Sequence, residues 1–311
     1  MMLEAVVNRM LQAIITFIGV ILLVFFLIRV LPGDPARLIA GFEARPEDVQ
    51  NLRHLLGLDK PLPLQFVDYM LSLLKLNLGI SYKTGGPVLN EILARLPYTA
   101  ELAVVAEAIA VFAGVSLGII AGLKPRSFAG YLVSIFGIIG SSFPSFLIAL
   151  LLIWVFAVQL HVLPAFGAGS IQQLILPAIT LALLLTGNIA RLVKSSVIES
   201  LSTNHVTTAM AKGLSDEKII FRHILRPALS PVITIIGIQF GSLMGGAVIT
   251  ETIFGWPGIG RLMVDSIFSR DFMLLQGIIV VFAVIFLVVM ISVEILQTII
   301  DPRYKEVYKM K

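Results

Sequence analysis

The segment TNHVTTAMAKGLSDEKIIFRHILRPALSP, residues 203–231, is a long polar stretch between two apolar runs in the C-terminal half of the chain. It predicts two short helices separated by Gly213, because helices commonly end at a glycine with positive φ. In the first helix, Val206, Ala209 and Met210 recur at intervals of three and four residues and form a small apolar face. The segment therefore predicts a pair of short helices that connects two apolar spans.

The ends of both short helices carry recognisable signals. Thr203 or Asn204 can cap the first helix, and Ser215 can cap the second. Pro227 and Pro231 are expected to end the second helix. Helix signals alone leave two interpretations open, an ordinary connector between membrane spans and a docking element for a soluble partner.

Composition places the chain in a membrane. It has 311 residues, of which 58% are hydrophobic and 14% are charged, whereas about 25% of the residues of an ordinary soluble domain are charged. The net charge of +4 is spread over loops, unlike the clustered basic face of a nucleic-acid-binding protein. The chain has no cysteine, which excludes disulfides and thiolate metal sites. We expect an all-α integral membrane protein that binds no nucleic acid.

Six apolar runs are long enough to cross the bilayer core, which takes about 20 residues. Pro144 is expected to kink the third run, and the fourth opens near Pro177. The six runs cover residues 10–30, 100–122, 132–158, 174–192, 232–250 and 275–299.

The distribution of Lys and Arg predicts the orientation of these spans. Residues 191–226 and the C-terminal tail are basic, whereas residues 159–173 contain no Lys or Arg. Because cytoplasmic loops carry an excess of Lys and Arg, both termini are expected in the cytoplasm. The chain then divides into a transmembrane helix at 1–30, an extracytoplasmic segment with short amphipathic helices at 31–98, and a core of five transmembrane helices at 99–311 with a cytoplasmic loop at 194–230.

Motifs for chemistry within the chain are missing. Residues 255–262 have the glycine spacing of a phosphate-binding loop, but Arg261 and Leu262 stand where Lys and Ser or Thr are needed. The four histidines are scattered without the spacing of metal ligands. We expect no catalytic residue, no metal site and no cofactor bound by this chain.

Two carboxylates lie deep within predicted spans, Glu107 and Glu294. Charges in a bilayer are costly, so each is a candidate for a water-filled path or for contact with a neighbouring helix. A proton-coupled secondary transporter that uses both carboxylates is the alternative that they leave open. An intramembrane enzyme is a weaker alternative, because no nucleophile–base pair is visible.

Small residues recur along the fifth apolar run. A small face allows close approach of a second helix in a membrane. We expect packing within the subunit here rather than the lining of a pore; the residues are Gly237, Gly241, Gly245 and Gly246.

Eight short motifs carry a family resemblance along nearly the whole chain. They are LPGDP at 31–35, GLDKP at 57–61, LGIS at 78–81, SFPSF at 142–146, AMAKGL at 209–214, HILR at 223–226, ETIFGWPGIG at 251–260 and DPR at 301–303. With these motifs in order, the chain resembles the B-type membrane permease of bacterial and archaeal ABC importers of the dipeptide, oligopeptide and nickel group.

The resemblance implies the type I importer permease fold and a multi-pass location in a prokaryotic cell membrane. It also implies a second permease subunit, which makes a heterodimer, two ABC ATPase subunits that bind ATP and Mg²⁺, an extracytoplasmic substrate-binding protein and contact with membrane lipid. The substrate class that it implies is di- or oligopeptides. Nickel, glutathione, oligosaccharides or another small solute remain alternatives, because related permeases carry them.

The loop at 203–230 corresponds to the element of these permeases that docks on the ATPase subunit. Thr207 and Thr208 replace the Glu-Ala of the general pattern, and Met210 stands where peptide permeases usually have Arg. The resemblance therefore implies an apolar contact through Val206, Ala209 and Met210. The coupling residues are Val206, Thr207, Thr208, Ala209, Met210, Ala211, Lys212 and Gly213.

Two further sets of residues are candidates for function. The candidate translocation path comprises Glu107, Pro144, Gln239 and Glu294. The candidate contact with the binding protein, or with the entrance of the path, comprises Asp34, Glu251, Trp256 and Arg261.

Overall fold

The computed structural model of the protein describes residues 2–30, 35–41, 43–55 and 57–300. Within these ranges the chain is helical, and its β-structure is limited to an isolated bridge between Ile80 and Pro87. The N-terminal helices are α1 (Met2–Val30), α2 (Pro35–Ala40), α3 (Pro46–Leu55), α4 (Leu62–Leu74) and α5 (Val88–Leu123).

The middle of the chain contains α6 (Phe128–Ser142), α7 (Ser145–Leu152) with a π-helical extension (Ile153–Gln159), α8 (Ile171–Leu201) and α9 (Asn204–Ala211). It continues through α10 (Asp216–Lys218), a π-helical segment (Ile219–Leu225), α11 (Arg226–Ala228) and α12 (Ser230–Met244). The chain then forms α13 (Val248–Ile253), α14 (Ile259–Phe268) and α15 (Phe272–Ile300).

The helices group into two compact units. The first unit comprises Met1–Tyr98 and Pro257–Ile285, and the second comprises Thr99–Trp256 and Phe286–Lys311. Residue 98, the predicted end of the extracytoplasmic segment, lies inside the continuous helix α5, which also contains Pro97. The predicted division of the chain stays a prediction.

Among the residues that the structure describes, four helices are long and apolar enough to cross a membrane by themselves. They contain the stretches Leu11–Arg29, Val88–Leu123, Ile171–Leu201 and Phe272–Gln297. A fifth crossing is formed if Asp216–Ala228 and Ser230–Met244, which meet at 45°, act as one broken span. The count of six spans stays a prediction.

The third predicted span differs most from its prediction. Instead of one kinked helix over 132–158, the chain forms α6 and α7 with Pro144 between them in an extended conformation, φ −61° and ψ 137°. Proline lacks an N–H group and disfavours helical geometry in the residue before it, so α6 ends rather than bends here.

The core of the second unit depends on close contact between α5 and α8. Gly114, Gly118 and Gly122 lie on one face of α5, four residues apart. A Cβ atom on Gly118 would lie 2.5 Å from the Cβ of Val193, closer than two such atoms can approach. Each glycine of this stripe faces one β-branched residue of α8, in the order Ile189, Val193 and Val197.

Two of the four glycines predicted to pack, Gly237 and Gly241, lie in α12 and contact α15, whereas Gly245 and Gly246 follow the end of α12 at Met244. Gly237 faces Val293 of α15, and a Cβ on Gly241 would lie 3.1 Å from the ring of Phe286. Both contacts are internal to the second unit, as expected for packing within the subunit.

Candidate functional site

The inner face of α9 is buried in the subunit itself. Val206 is 0% exposed and Ala209 is 4% exposed. Both belong to a core cluster that includes Val193 and Val197 of α8. Spacing identified the apolar face, and Val206 and Ala209 of this face pack against α8 inside the subunit. The contact of this loop with an ATPase subunit stays a prediction.

The outer face of α9 presents polar and small residues around one exposed methionine. Met210 is 54% exposed, and the hydroxyl of Thr208 donates to the carbonyl oxygen of Asn204 at 2.8 Å. We define the α9 outer face as the exposed residues of the predicted coupling element, which are Thr207, Thr208, Met210, Ala211, Lys212 and Gly213.

The ends of α9 lie where the sequence places them, with one difference in hydrogen bonding. Gly213 has φ +71°, which confirms the predicted glycine end. Thr203 occupies the N-cap position, but its hydroxyl points backward and donates to the carbonyl oxygen of Ser200. The predicted cap position is correct, and the predicted cap hydrogen bond is replaced by a contact with the end of α8.

The second short helix ends close to the prolines that are expected to end it. Ser215 takes the N-cap position of α10, and the helical path then runs through the π-helical segment into α11, which includes Pro227. This path ends at Ala228, between Pro227 and Pro231, the two prolines predicted to end it. Pro231 lies in the first turn of α12.

Contacts hold α9 against this second helical piece. The Nε2 atom of His205 lies 3.0 Å from the carbonyl oxygen of His223. Ile219 and Ile224 of the π-helical segment are buried in the same core cluster as Val206. Helix α9, helix α8 and the π-helical segment therefore pack together in one core cluster.

Two of the four predicted path residues are buried polar groups. Glu107 is 5% exposed and Gln239 is 6% exposed. Among the residues that the structure describes, neither oxygen of Glu107 and neither side-chain polar atom of Gln239 has a hydrogen-bond partner. Buried polar groups nearly always have partners, so two such groups in the second unit require an explanation.

The other two path residues have different surroundings. Pro144 is exposed at the start of α7, and Glu294 is half-buried on α15. A cavity of about 300 Å³ lies beside Ser145, the residue after Pro144. Its lining is mostly aliphatic, with hydroxyl groups from Ser145, Ser242 and Thr250.

The predicted external contact residues are largely buried. Glu251 is 0% exposed and accepts a hydrogen bond from the hydroxyl of Thr99 at 2.8 Å. Trp256 is 1% exposed, and its backbone N–H donates to the carbonyl oxygen of Glu251 at 2.8 Å. The side chains of Glu251 and Trp256 therefore pack inside the second unit. Their contact with a binding protein or with the entrance of the path stays a prediction.

The remaining members of that set differ from Glu251 and Trp256. Arg261 is half-buried on α14 in the first unit. Asp34 lies outside the described residues.

The first unit contains a buried carboxylate that sequence reasoning missed. Asp271 is 0% exposed and accepts hydrogen bonds from the hydroxyl of Ser81 and from the backbone N–H of Lys83. It also caps α15, because its Oδ1 accepts from the backbone N–H of Leu274 at 3.1 Å. Burial raises the pKa of the neighbouring Tyr82 to about 12, and the charge of Asp271 acts in the same direction.

Two family descriptions match the chain. Residues 114–306 match the binding-protein-dependent transport system inner membrane component. Residues 2–103 match the N-terminal part of the binding-protein-dependent transport system membrane component. The chain belongs to this family.

Curated relatives agree with the family assignment over the full length of the permease. The glutathione transport system permease protein GsiC of Escherichia coli strain K12 is 40% identical over 306 residues, which is 98% of this chain and 100% of the relative. The protein of the same name from Salmonella typhimurium strain LT2 shows the same identity and coverage. The permease is a multi-pass protein of the inner membrane and belongs to the dipeptide and oligopeptide group of ABC importer permeases.

Solved structures show the same fold at low sequence identity. A chain of the methionine ABC transporter MetNI in an inward-facing conformation is 15% identical, with a TM-score of 0.56 over 68% of this chain and 96% of that chain. An amino acid ABC transporter solved with histidines is 16% identical, with a TM-score of 0.52 over 69% of this chain and 94% of that chain. The permease therefore has the all-α ABC importer permease fold.

Proposed function

We propose that this permease forms half of a translocation path for short peptides, including peptides of the size of glutathione. The supporting observation is the 40% identity, over 98% of the chain, to permeases named for glutathione transport. Glutathione is itself a tripeptide, so this similarity and the dipeptide and oligopeptide group point to one chemical class, a short peptide with charged ends.

The proposed assembly contains the three kinds of protein partner that the resemblance implies. A second permease completes the path, two ATPase subunits bind ATP and Mg²⁺, and an external binding protein delivers the peptide. The family description names dependence on a binding protein. The chain itself has no phosphate-binding loop, because Arg261 and Leu262 replace the residues that reach phosphate and Mg²⁺.

The α9 outer face is the proposed contact with an ATPase subunit. It combines an exposed apolar centre, Met210, with two threonines and Lys212. The inner face of the same helix is buried against α8, which is long enough to cross a membrane. Closure of the ATPase subunits would therefore displace α9 and α8 together, as rigid elements do in alternating access.

Glu107 and Gln239 are the proposed polar groups of the path. Their side chains are buried without hydrogen-bond partners within the described chain, and such groups are costly in a membrane. A substrate with an ammonium group and amide bonds offers partners to a carboxylate and to a carboxamide when the path opens. Binding of substrate would give these buried polar atoms hydrogen-bond partners, which the packing of the subunit does not provide.

The test is purification of the assembled complex followed by transport in proteoliposomes. A C-terminal affinity tag on the permease is expected to recover a second permease, ATPase subunits and a binding protein, identified by mass spectrometry. The reconstituted complex is expected to take up a labelled tripeptide with ATP, and unlabelled dipeptides and glutathione are expected to compete.

Two outcomes contradict the proposal. Uptake of nickel or of a sugar, without competition by peptides, would retain the importer and reject the peptide substrate. Uptake that persists without ATP and collapses with the proton gradient would reject ATP-driven import.

A further inference from the structure

Helix α4 of the first unit is apolar on both faces. Its inner face packs against the core of the unit through Phe66, Tyr69, Met70 and Leu73. Its opposite face exposes four aliphatic side chains at helical spacing. We define these as the α4 stripe, and their exposed fractions are 55% for Leu64, 51% for Val67, 51% for Leu71 and 79% for Leu74.

Helix α4 is attached to a membrane-spanning helix at the end of the span. The ring of Phe25 on α1 lies 5.2 Å from the ring of Phe66 and stacks on Tyr69 at 5.9 Å. The Nε atom of Arg29 donates to the side-chain oxygen of Gln65 at 3.0 Å. The apolar stretch of α1 is Leu11–Arg29, so α4 contacts its last turns.

The surface of α1 at this junction is also aliphatic and exposed. Leu22, Leu23 and Leu27 are 43%, 56% and 57% exposed. Leucine is among the residues most favourable in the hydrocarbon core of a membrane. The α4 stripe therefore lies on a helix that is attached to the end of an exposed aliphatic surface of α1.

We propose that α4 is an interfacial helix whose stripe is embedded in the bilayer leaflet at which α1 ends. The helix has 13 residues and a length of about 20 Å, which is too short to cross the hydrocarbon core of about 30 Å. A helix satisfies its own backbone hydrogen bonds, so it can lie at the boundary between acyl chains and headgroups.

The charged groups around α4 fit this position. Asp68 lies on the exposed side of α4, and its Oδ2 is 2.7 Å from the Nζ of Lys60. The carboxylate of Asp68 would therefore enter the headgroup region together with a counter-ion. Lys75 follows the last turn and is exposed. A lysine at the end of such a helix can extend its ammonium group to the water while its methylenes stay in the apolar region.

The composition of the stripe favours lipid over a protein partner. It consists of Leu and Val, which are under-represented among the residues that dominate protein interfaces, where Trp, Tyr and Arg prevail. A sibling permease or a binding protein seated on this face is the competing occupant, and the experiment separates it from lipid.

The absence of cysteine from the chain makes site-directed spin labelling direct. Val67→Cys, Leu71→Cys and Leu74→Cys are labelled with a nitroxide in the assembled transporter, reconstituted in lipid bilayers. Collisions of each nitroxide with molecular oxygen, which concentrates in lipid, are compared with collisions with a water-soluble nickel chelate. Ile15→Cys, 69% exposed on the span of α1, is the lipid control, and Gln50→Cys, exposed on α3, is the water control.

The expected result is a loss of chelate collisions at the three stripe positions to the level of Ile15→Cys, with oxygen collisions retained. Chelate collisions at the level of Gln50→Cys would place the stripe in water and overturn the proposal. Loss of both kinds of collision in the assembled transporter would also overturn it, because a protein partner would then cover the stripe. Three separate positions keep the test decisive if one variant assembles poorly.

Discussion

Asp271 is the residue through which two distant parts of the first unit are joined. It caps α15 and accepts the hydroxyl of Ser81, and both residues are fully buried. Asp271→Ala is expected to lower the free energy of unfolding by about 2–4 kcal/mol, because a helix cap is worth about 1 kcal/mol and an unsatisfied buried donor costs a further 1–3 kcal/mol.

The measurement for this variant is the midpoint of thermal unfolding of the detergent-solubilised complex. Asp265→Ala is the matched control, since Asp265 is an exposed aspartate on the preceding helix α14. Ser81→Ala is expected to fall between the two, because it removes one donor and keeps the cap. Equal midpoints for Asp271→Ala and Asp265→Ala would refute the role given to Asp271.

At the scale of the element, α9 has two faces with opposite expected responses to the same substitution. Met210→Glu is expected to leave the subunit folded and to weaken ATPase recovery and ATP-driven uptake about tenfold or more, because a charge would enter the proposed interface without a partner. Val206→Glu is expected to prevent accumulation of folded subunit, because Val206 is completely buried in the core.

Folded subunit is measured by size-exclusion chromatography, and bound ATPase by its ratio to permease in the purified complex. Phe166→Glu is the matched control for Met210→Glu, because Phe166 is 64% exposed and lies in the loop expected on the opposite side of the membrane. An unchanged ATPase ratio in Met210→Glu at limiting ATPase would show that the α9 outer face makes no such contact.

Local sequence signals predicted α9 well and its environment poorly. The end at Gly213 and the cap position of Thr203 depend on the backbone of a few residues, and both lie where expected. Which of Val206 and Met210 faces inward depends on α8, and spacing alone does not contain that information. The π-helical geometry of Ile219–Leu225 shows the same limit, because no spacing signal in these residues predicts it.

Contacts between residues that are far apart in the chain could not be predicted from the sequence. A cap at Asp271 is predictable from an acidic residue directly before an apolar helix, but its bond to Ser81 joins residues 190 positions apart. Glu251 is likewise buried beside a remote partner, because it accepts a hydrogen bond from Thr99, 152 positions away. The glycine stripe of α5 permits close packing against Ile189, Val193 and Val197 of α8, and the sequence of α5 alone does not predict this contact.

At the scale of the whole molecule, membrane insertion and family were evident from composition and motif order. These features are distributed along the chain and need no knowledge of contacts. The number of spans is harder to predict, because Pro144 separates α6 from α7 and a 45° bend separates α11 from α12. A hydropathy average is similar whether two helices are continuous or interrupted. The number of times that the chain crosses the bilayer, however, depends on the interruption between them.

The orientation of α8 is the feature of the whole molecule that a single experiment settles. Residues 159–173 before it contain no Lys or Arg, whereas residues 191–226 are basic, so its N-terminal end is expected outside and its C-terminal end in the cytoplasm. Because the chain has no cysteine, Gln172→Cys and Lys218→Cys each provide one reactive thiol at an exposed position.

A membrane-impermeant maleimide is expected to label Gln172→Cys in intact cells and Lys218→Cys only after the membrane is permeabilised. Labelling of both variants in detergent is the control for thiol reactivity. The reverse pattern would invert the topology and place the α9 outer face outside the cell, away from any ATPase. Labelling of both thiols in intact cells would show that α8 does not cross the membrane, and the coupling proposal would then lose the helix that carries the motion of α9 into the bilayer.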